Sequence, residues 1–453
     1  MKFKRGFTRK LNSLVIAIGA LIFILSFQNC APNSFQVKIP KNLELTSESL
    51  NSETDTPNNE SERIPRENPP ENTGPIESTT GKTFYVSASG DDSDKGTLSQ
   101  PFKTIQKGLD VARAGDTVIV RAGVYAGNVT FRYSGEKGRP ITLKNYPGER
   151  AIIDQGQAYL EANYALPFDK KIIKRVTIIS GSGSDSLIGW IVIEGLEINR
   201  GYDGIKLINA HDIVIRGCNI HHSQSQGILG FGLRVTIDRN TIANNGDARA
   251  RSRPEDTNQL HGIYLSGSNH KITNNIIHSN LGFGIQVAGY NPTGEEYYST
   301  EYGGAKGWLI ANNTFAFQKN RGALIIWQRY AQNNSIINNI FYENATEITG
   351  SQGVDFYGAG PNNILKNNLF YSSRGLKAIT DNTDGAFNKD DLGTNLMQMN
   401  PLFVNPSQLN FRLSSESPAR NRGLNLYNMG LIHDFATGLR PQTGLFDIGA
   451  YNY

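Results

Sequence analysis

Cysteine is nearly absent: the 453 residues contain two, Cys30 and Cys218. A disulfide-stapled scaffold is therefore excluded, and no bridge within the chain forms once Cys30 carries another group. A surplus of positive charge is missing too. The formal net charge is +4, but Lys2, Lys4, Arg5, Arg9 and Lys10 crowd the first ten residues, and with these set aside 40 basic residues face 41 acidic ones. Such a balance lacks the dense cationic face that grips nucleic acid through its phosphates, so nucleic acid is not an expected partner. Long apolar runs are limited to Leu14 to Phe27, which falls short of the ~20 residues that span a hydrocarbon core comfortably.

That short run follows a cationic start and ends at Cys30, the arrangement of an export signal. Cys30 resembles the acylated cysteine of bacterial lipoproteins, although Phe27, Gln28 and Asn29 depart from the small residue usual before it. The resemblance implies a signal peptide over 1–29 and a membrane partner reached through a lipid on Cys30. The protein is then expected to be exported and anchored to the cell envelope, at the outer membrane or cell surface; a secreted or periplasmic form is the alternative. From Ala31 to Lys82 the chain holds seven of its 18 prolines, nine acidic and five basic residues and almost no aromatics. Residues 30–82 are accordingly expected to be a disordered tether, with folded structure from Thr83 onward.

The remainder repeats. An aliphatic residue, two others, a turn residue, one other and a large apolar residue recur at Ile193 to Ile198, Ile215 to Ile220, Ile237 to Ile242, Ile272 to Ile277, Ile310 to Phe315, Ile336 to Phe341 and Leu365 to Phe370. The turn position holds Leu196, Cys218, Asn240, Asn275, Asn313, Asn339 and Asn368. Asn, after Gly, best tolerates the left-handed backbone of a sharp bend, and stacked Asn side chains can bond from one repeat to the next. A second column runs between these: GIKL from Gly204, GILG from Gly227, GIYL from Gly262, GIQV from Gly284 and GALI from Gly322. Alternation along a strand sends Ile205, Ile228, Ile263, Ile285 and Ala323 inward and Lys206, Leu229, Tyr264, Gln286 and Leu324 outward. The basic period is about 22 residues, which suits a coil of short strands pairing in parallel at roughly 4.8 Å per rung.

The segment FYVSASGDDSDKGTLSQPFKTIQKGLDVARAGDTVIVRAGVY, Phe84 to Tyr125, resembles the opening of β-helical pectate lyases and related polysaccharide lyases. The C-terminal NPLFVNPSQLNFRLSSESPARNRG and FDIGAYNY also resemble exported proteins of that fold. The resemblance implies an all-β, right-handed parallel β-helix with a short N-terminal capping helix near Thr104 to Ala112. Its parts would be a cap over 83–125, coils over about 126–380 and a C-terminal cap region over 381–453. It also implies action on an acidic, uronate-containing polysaccharide.

Two rungs are irregular. Asn240 to Gly262 takes 22 residues where nine is normal, and Gly284 to Asn313 takes 29 where 13 or 14 is normal. Long loops on a regular scaffold usually carry function. Both flank QLHGIYL, which offers His261 before the bend and Tyr264 outward on the strand. β-Elimination and C5-epimerisation both remove the proton beside a uronate carboxylate and then deliver one elsewhere, which a His and Tyr pair can do. Arg321, placed in the His261 column two rungs on, would neutralise the carboxylate. Arg249, Arg251 and Arg253 in the first insertion offer further cations, and Lys206, Gln226, Gln286 and Trp327 would line the groove.

The family's calcium and lysine arrangement is not carried over, because its cluster of aspartates has no counterpart and Asp203 stands alone in GYDGIK. No metal site is expected and no cofactor is predicted. Asp91, Asp92, Asp94 and Gly96 read as a polar turn, although a calcium loop is the one cofactor reading left open. The pairs His221 with His222 and His270 with Lys271 read as solvated turn residues. Trp308 and Trp327 suit either sugar stacking or packing. Hydrolysis through paired acids such as Glu255, Asp256, Glu295 and Glu296 is a lesser alternative. The reading leans to a monomeric polysaccharide lyase-like enzyme; the alternative is a non-catalytic scaffold that binds carbohydrate or protein.

Overall fold

Branched aliphatic residues at alternate positions of short segments make strands with one buried face. In a computed structural model, which describes residues 81–166, 174–180, 187–250, 259–289, 304–348, 350–383 and 385–453, these segments pair in parallel, each with its equivalent one rung later. Three strand stacks result. The first contains Ile228–Leu233, Ile263–Ser268, Ile285–Ala288, Leu324–Trp327 and Ser351–Tyr357; the second Thr236–Asp238, Lys271–Thr273, Leu309–Ala311 and Ser335–Ile337; the third Thr241–Ala243, Ile276–His278, Thr314–Ala316 and Ile340–Tyr342. The long strand Ile205–Arg216 turns a corner and belongs to the first two stacks at once.

Each stack sends one column inward. In the second it is Leu143, Ile193, Ile215, Ile237, Ile272, Ile310, Ile336 and Leu365, and in the third Ile153, Ile198, Ile220, Ile242, Ile277, Phe315, Phe341 and Phe370. All sixteen are 0% exposed. Burying one such side chain is worth about 1.5–3 kcal/mol. The three phenylalanines stack with centroids 5.1 and 4.7 Å apart.

The asparagine column forms a ladder. Asn240 donates through its backbone N–H and Nδ2 to Asn275 Oδ1 at 2.9 and 3.0 Å, and the pattern continues through Asn313, Asn339 and Asn368 to Asn395. The left-handed backbone, however, belongs to the residue before: Arg239, Asn274, Asn312, Asn338 and Asn367 have φ between 52° and 58°. The bend is made by one residue, and the next turns its amide along the coil. A second ladder, unforeseen, runs through Asn245, Asn280, Gln318 and Asn344 at the corner leading out of the third stack.

The capping helix spans Ile105–Val111, with the Thr104 hydroxyl accepting from the Lys107 N–H. Parallel pairing already joins Thr83–Val86 to Thr117–Val120 beside it, so 83–125 holds a first turn of the coil as well as the helix. At the other end Ala386 and Phe387 close the core. The rest of 381–453 turns back alongside the coil. Arg440 donates to Asn274 Oδ1, Asn338 Nδ2 donates to the Leu424 carbonyl, and Asn312 Nδ2 donates to the Asp447 carbonyl. The left-handed asparagines that face outward are thereby used as anchor points.

Candidate functional site on the outer face of the first stack

Tyr264 faces outward as the alternation requires, between Leu229 on one side and Gln286 on the other. The column continues Lys206, Leu229, Tyr264, Gln286, Ile325, Asp355 and Thr380. Here the structure corrects the sequence register. Leu324, not Ala323, pairs with Ile285 and enters the core, and Ile325 takes the outward place expected of Leu324. The extra glycine at 322 made GALI look in register, but the coil prefers the larger aliphatic pair Leu324 and Ile326 inside. Arg321 consequently falls one residue out of the His261 column, which passes through Phe283 to Gly322.

His261 is held on several sides. Its N–H donates to Gln226 Oε1 at 2.6 Å, Gln226 Nε2 donates to the Gln259 carbonyl at 2.6 Å, and the Phe283 N–H donates to His261 Nδ1 at 3.0 Å. Because Nδ1 accepts, the proton of the neutral ring sits on Nε2. Gly282 makes this possible, since a Cβ there would lie 2.5 Å from His261 Nδ1. The His261 and Tyr264 rings meet edge to face at 5.8 Å. Tyr264 also packs with Leu229, Ala288 and the half-buried Trp327. His261, Tyr264, Gln226 and Gln286 are 1%, 7%, 3% and 4% exposed, so the expected open groove is not open at this rung. Lys206, Arg321, Trp327 and Asp355 on the same face are only partly buried.

Arg251 and Arg253 lie outside the described residues, as do Glu255, Asp256, Glu295, Glu296 and Cys30. Arg249 pairs with Asp247. Trp308 belongs to the core, with its Nε1 donating to the Gly267 carbonyl at 2.7 Å. His270 is not solvated: it is fully buried, its Nδ1 accepts from the Val235 N–H and its Nε2 faces the Ser266 carbonyl, each at 3.1 Å. Burial lowers its pKa to about 4. His221 bonds Glu197 and His222.

Asp203 is 0% exposed, pairs with Arg175 at 3.2 Å and accepts from the Gln226 N–H. Asp91 and Asp92 bond Ser93, Lys103 and Thr104 around the start of the capping helix. Among the described residues no group of three or more His, Cys, Asp or Glu side chains is placed to hold a metal ion.

Asp355 is the residue the sequence pattern missed. Burial pushes its carboxyl above the usual carboxylate range, against the Thr380 and Ser351 hydroxyls and Arg321, which pull it down. The signal was present: GVDF from Gly353 repeats the glycine column one rung beyond GALI.

Two family models match the chain: "Pel9A-like, right handed beta helix region" over residues 84–250 and "Right handed beta helix region" over 173–390. An uncharacterized protein, YwoF, of Bacillus subtilis is 25% identical over 233 residues, covering 49% of this chain and 46% of that one. The pectate lyase PEL9 of Emericella nidulans is 40% identical over 73 residues, covering 16% and 18%. The chain thus spans less than half the length of either curated relative. Among solved structures, pectate lyase Pel9A aligns with 17% identity and a TM-score of 0.46 over 83% of this chain and 97% of that one. An alginate lyase from a Paenibacillus species aligns with 16% identity and a TM-score of 0.43 over 70% and 95%. With its parallel rungs and these two family matches, the chain belongs to the right-handed parallel β-helix superfamily of the pectate-lyase-like, polysaccharide-lyase-like kind.

Proposed function

We propose that the protein is an exported, lipid-anchored enzyme that binds an acidic polysaccharide along the outer face of the first stack and cleaves it by β-elimination. The observation that carries this reading is the meeting of His261 and Tyr264, rings 5.8 Å apart, on a face with Lys206 two rungs to one side and Arg321 to the other. β-Elimination needs the uronate carboxylate stabilised, the adjacent proton removed and the leaving oxygen protonated. With Nδ1 engaged, His261 acts as a donor through Nε2, toward the carboxylate, and Gln286 adds an amide beside it. Tyr264 then takes the proton as a phenolate and returns it to the leaving oxygen. C5-epimerisation uses the same first step, with the proton returned to the opposite face.

The burial of His261, Tyr264 and Gln286 favours a second reading, a binding scaffold in which these side chains brace the rung. Incubating the full-length chain with pectate, alginate and glycosaminoglycans separates the two. The enzyme reading expects ultraviolet absorbance of an unsaturated product, lost in His261→Ala. Silence in absorbance and reducing ends, with unchanged uronate stereochemistry by NMR, leaves the scaffold.

A further inference from the structure

Farther along the same face is a group of polar side chains with unmet bonding capacity. Arg321 is half-buried, and among the described residues no hydrogen bond or carboxylate within ion-pair distance satisfies it. Extending the pairing of Leu324 with Val354 back along both strands sets Arg321 opposite Ser351 and Gly322 opposite Gln352. The Ala323 N–H donating to the Gln352 carbonyl at 3.2 Å agrees with that register. Gln352 is 0% exposed and neither of its amide atoms has a partner; beside it the buried Ser351 hydroxyl acts on the Asp355 carboxylate. Asp355, three residues on and facing outward, accepts from Thr380 Oγ1 at 2.5 Å, and the charges of Arg321 and Asp355 act on one another.

A guanidinium half withdrawn from water and a buried amide without partners each cost free energy, so their persistence points to groups supplied from outside. The planar fork of an arginine matches a carboxylate through two parallel hydrogen bonds. A primary amide offers both donor and acceptor, which suits a sugar hydroxyl. Asp355 provides the opposing element, an internal carboxylate that competes for the same guanidinium.

We propose that Arg321, Ser351, Gln352 and Asp355 form a uronate-binding subsite, in which Arg321 grips the sugar carboxylate and Asp355 restrains the affinity. The subsite spans the second and third rungs from Tyr264 along the column, roughly 10 to 14 Å away by strand spacing, so a polymer laid along the coil reaches both. The inference rests on this face being the sugar-binding face, not on any bond being broken there.

Calorimetric titration of the full-length chain with oligomers of galacturonate, mannuronate and glucuronate, and with their carboxyl-reduced counterparts, tests it. The wild type is expected to favour at least one acidic oligomer over its reduced form. Arg321→Gln should weaken that oligomer at least tenfold and leave the reduced form unchanged, while Arg321→Lys, which keeps the charge without the fork, should lose less. Asp355→Asn should strengthen it several-fold. Equal binding of acidic and reduced oligomers, binding of none, or weakening by Asp355→Asn overturns the subsite. Acidic binding without any unsaturated product removes the lyase reading and leaves the subsite standing. Product formation with unchanged KM in Arg321→Gln does the reverse.

Discussion

The corner between the second and third stacks and the corner leading into the first both bury side-chain amides, to different ends. At the former, each of Asn240, Asn275, Asn313, Asn339 and Asn368 donates to the next rung and accepts from the one before. At the latter the column is Gln226, His261, Phe283, Gly322 and Gln352: Gln226 braces His261, Gly322 has no side chain, and the side-chain amide of Gln352 bonds nothing. The repeating corner is satisfied by the protein alone. The irregular one keeps unused donors and acceptors, and it borders the face on which Lys206, Tyr264, Arg321 and Asp355 gather. Within one coil, regularity marks what holds the fold and departure from it marks where other molecules can be met.

The contrast breaks most visibly under the same substitution at each corner. Asn313→Leu removes the acceptor for the Asn275 amides and the donor to Ile272 and Asn339, and should cost on the order of 4 kcal/mol in denaturant unfolding. Gln352→Leu removes two buried polar atoms that already lack partners, so stability should change by no more than about 1 kcal/mol, in the stabilising direction. A large loss for Gln352→Leu would show that this corner is as self-satisfied as the other.

Titration sharpens the comparison at a third place. His270 is bonded at both ring nitrogens in its neutral form, and burial lowers its pKa to about 4. The unfolded chain therefore takes up the proton first as pH falls. Stability present above about pH 6.5 should be lost toward pH 4, by up to about 3 kcal/mol for this residue. Buried His278, also lowered to about 4, adds to the slope, and His270→Gln should remove part of it in unfolding curves across that range.

A smaller effect of opposite sign is expected at Asp355. Its folded carboxyl lies above the unfolded value, so its unfavourable contribution grows as pH rises through the folded pKa. Asp355→Asn should raise the unfolding temperature near pH 7 and converge with the wild type below the ordinary carboxylate range.

The coil was legible because its period is written in side chains that have no alternative place: isoleucines inside, asparagines at one corner, phenylalanines stacked under Phe315. The second ladder was equally written, as Asn or Gln five residues after Asn240, Asn275, Asn313 and Asn339, but its corner lies beyond the six-residue pattern. Register at GALI was not legible, because two candidate positions for one bend differ only in which aliphatic side chain fills the core. His270 was misread because polarity suggests solvent, whereas two backbone partners let a neutral imidazole serve as core. At the site, the sequence located His261 and Tyr264 on one rung but not their burial, which arises from packing among rungs.

The central claim, chemistry on one face and structure on the others, is tested most directly by one substitution made twice. Tyr264→Phe and Tyr342→Phe each delete a single hydroxyl, the second from the third stack, where Tyr342 lies on Tyr371 at 5.8 Å. With both variants assayed beside the wild type for unsaturated product from acidic polysaccharides, Tyr342→Phe should match the wild type and Tyr264→Phe should lose activity by about a hundredfold or more. Full activity in Tyr264→Phe would contradict the assignment.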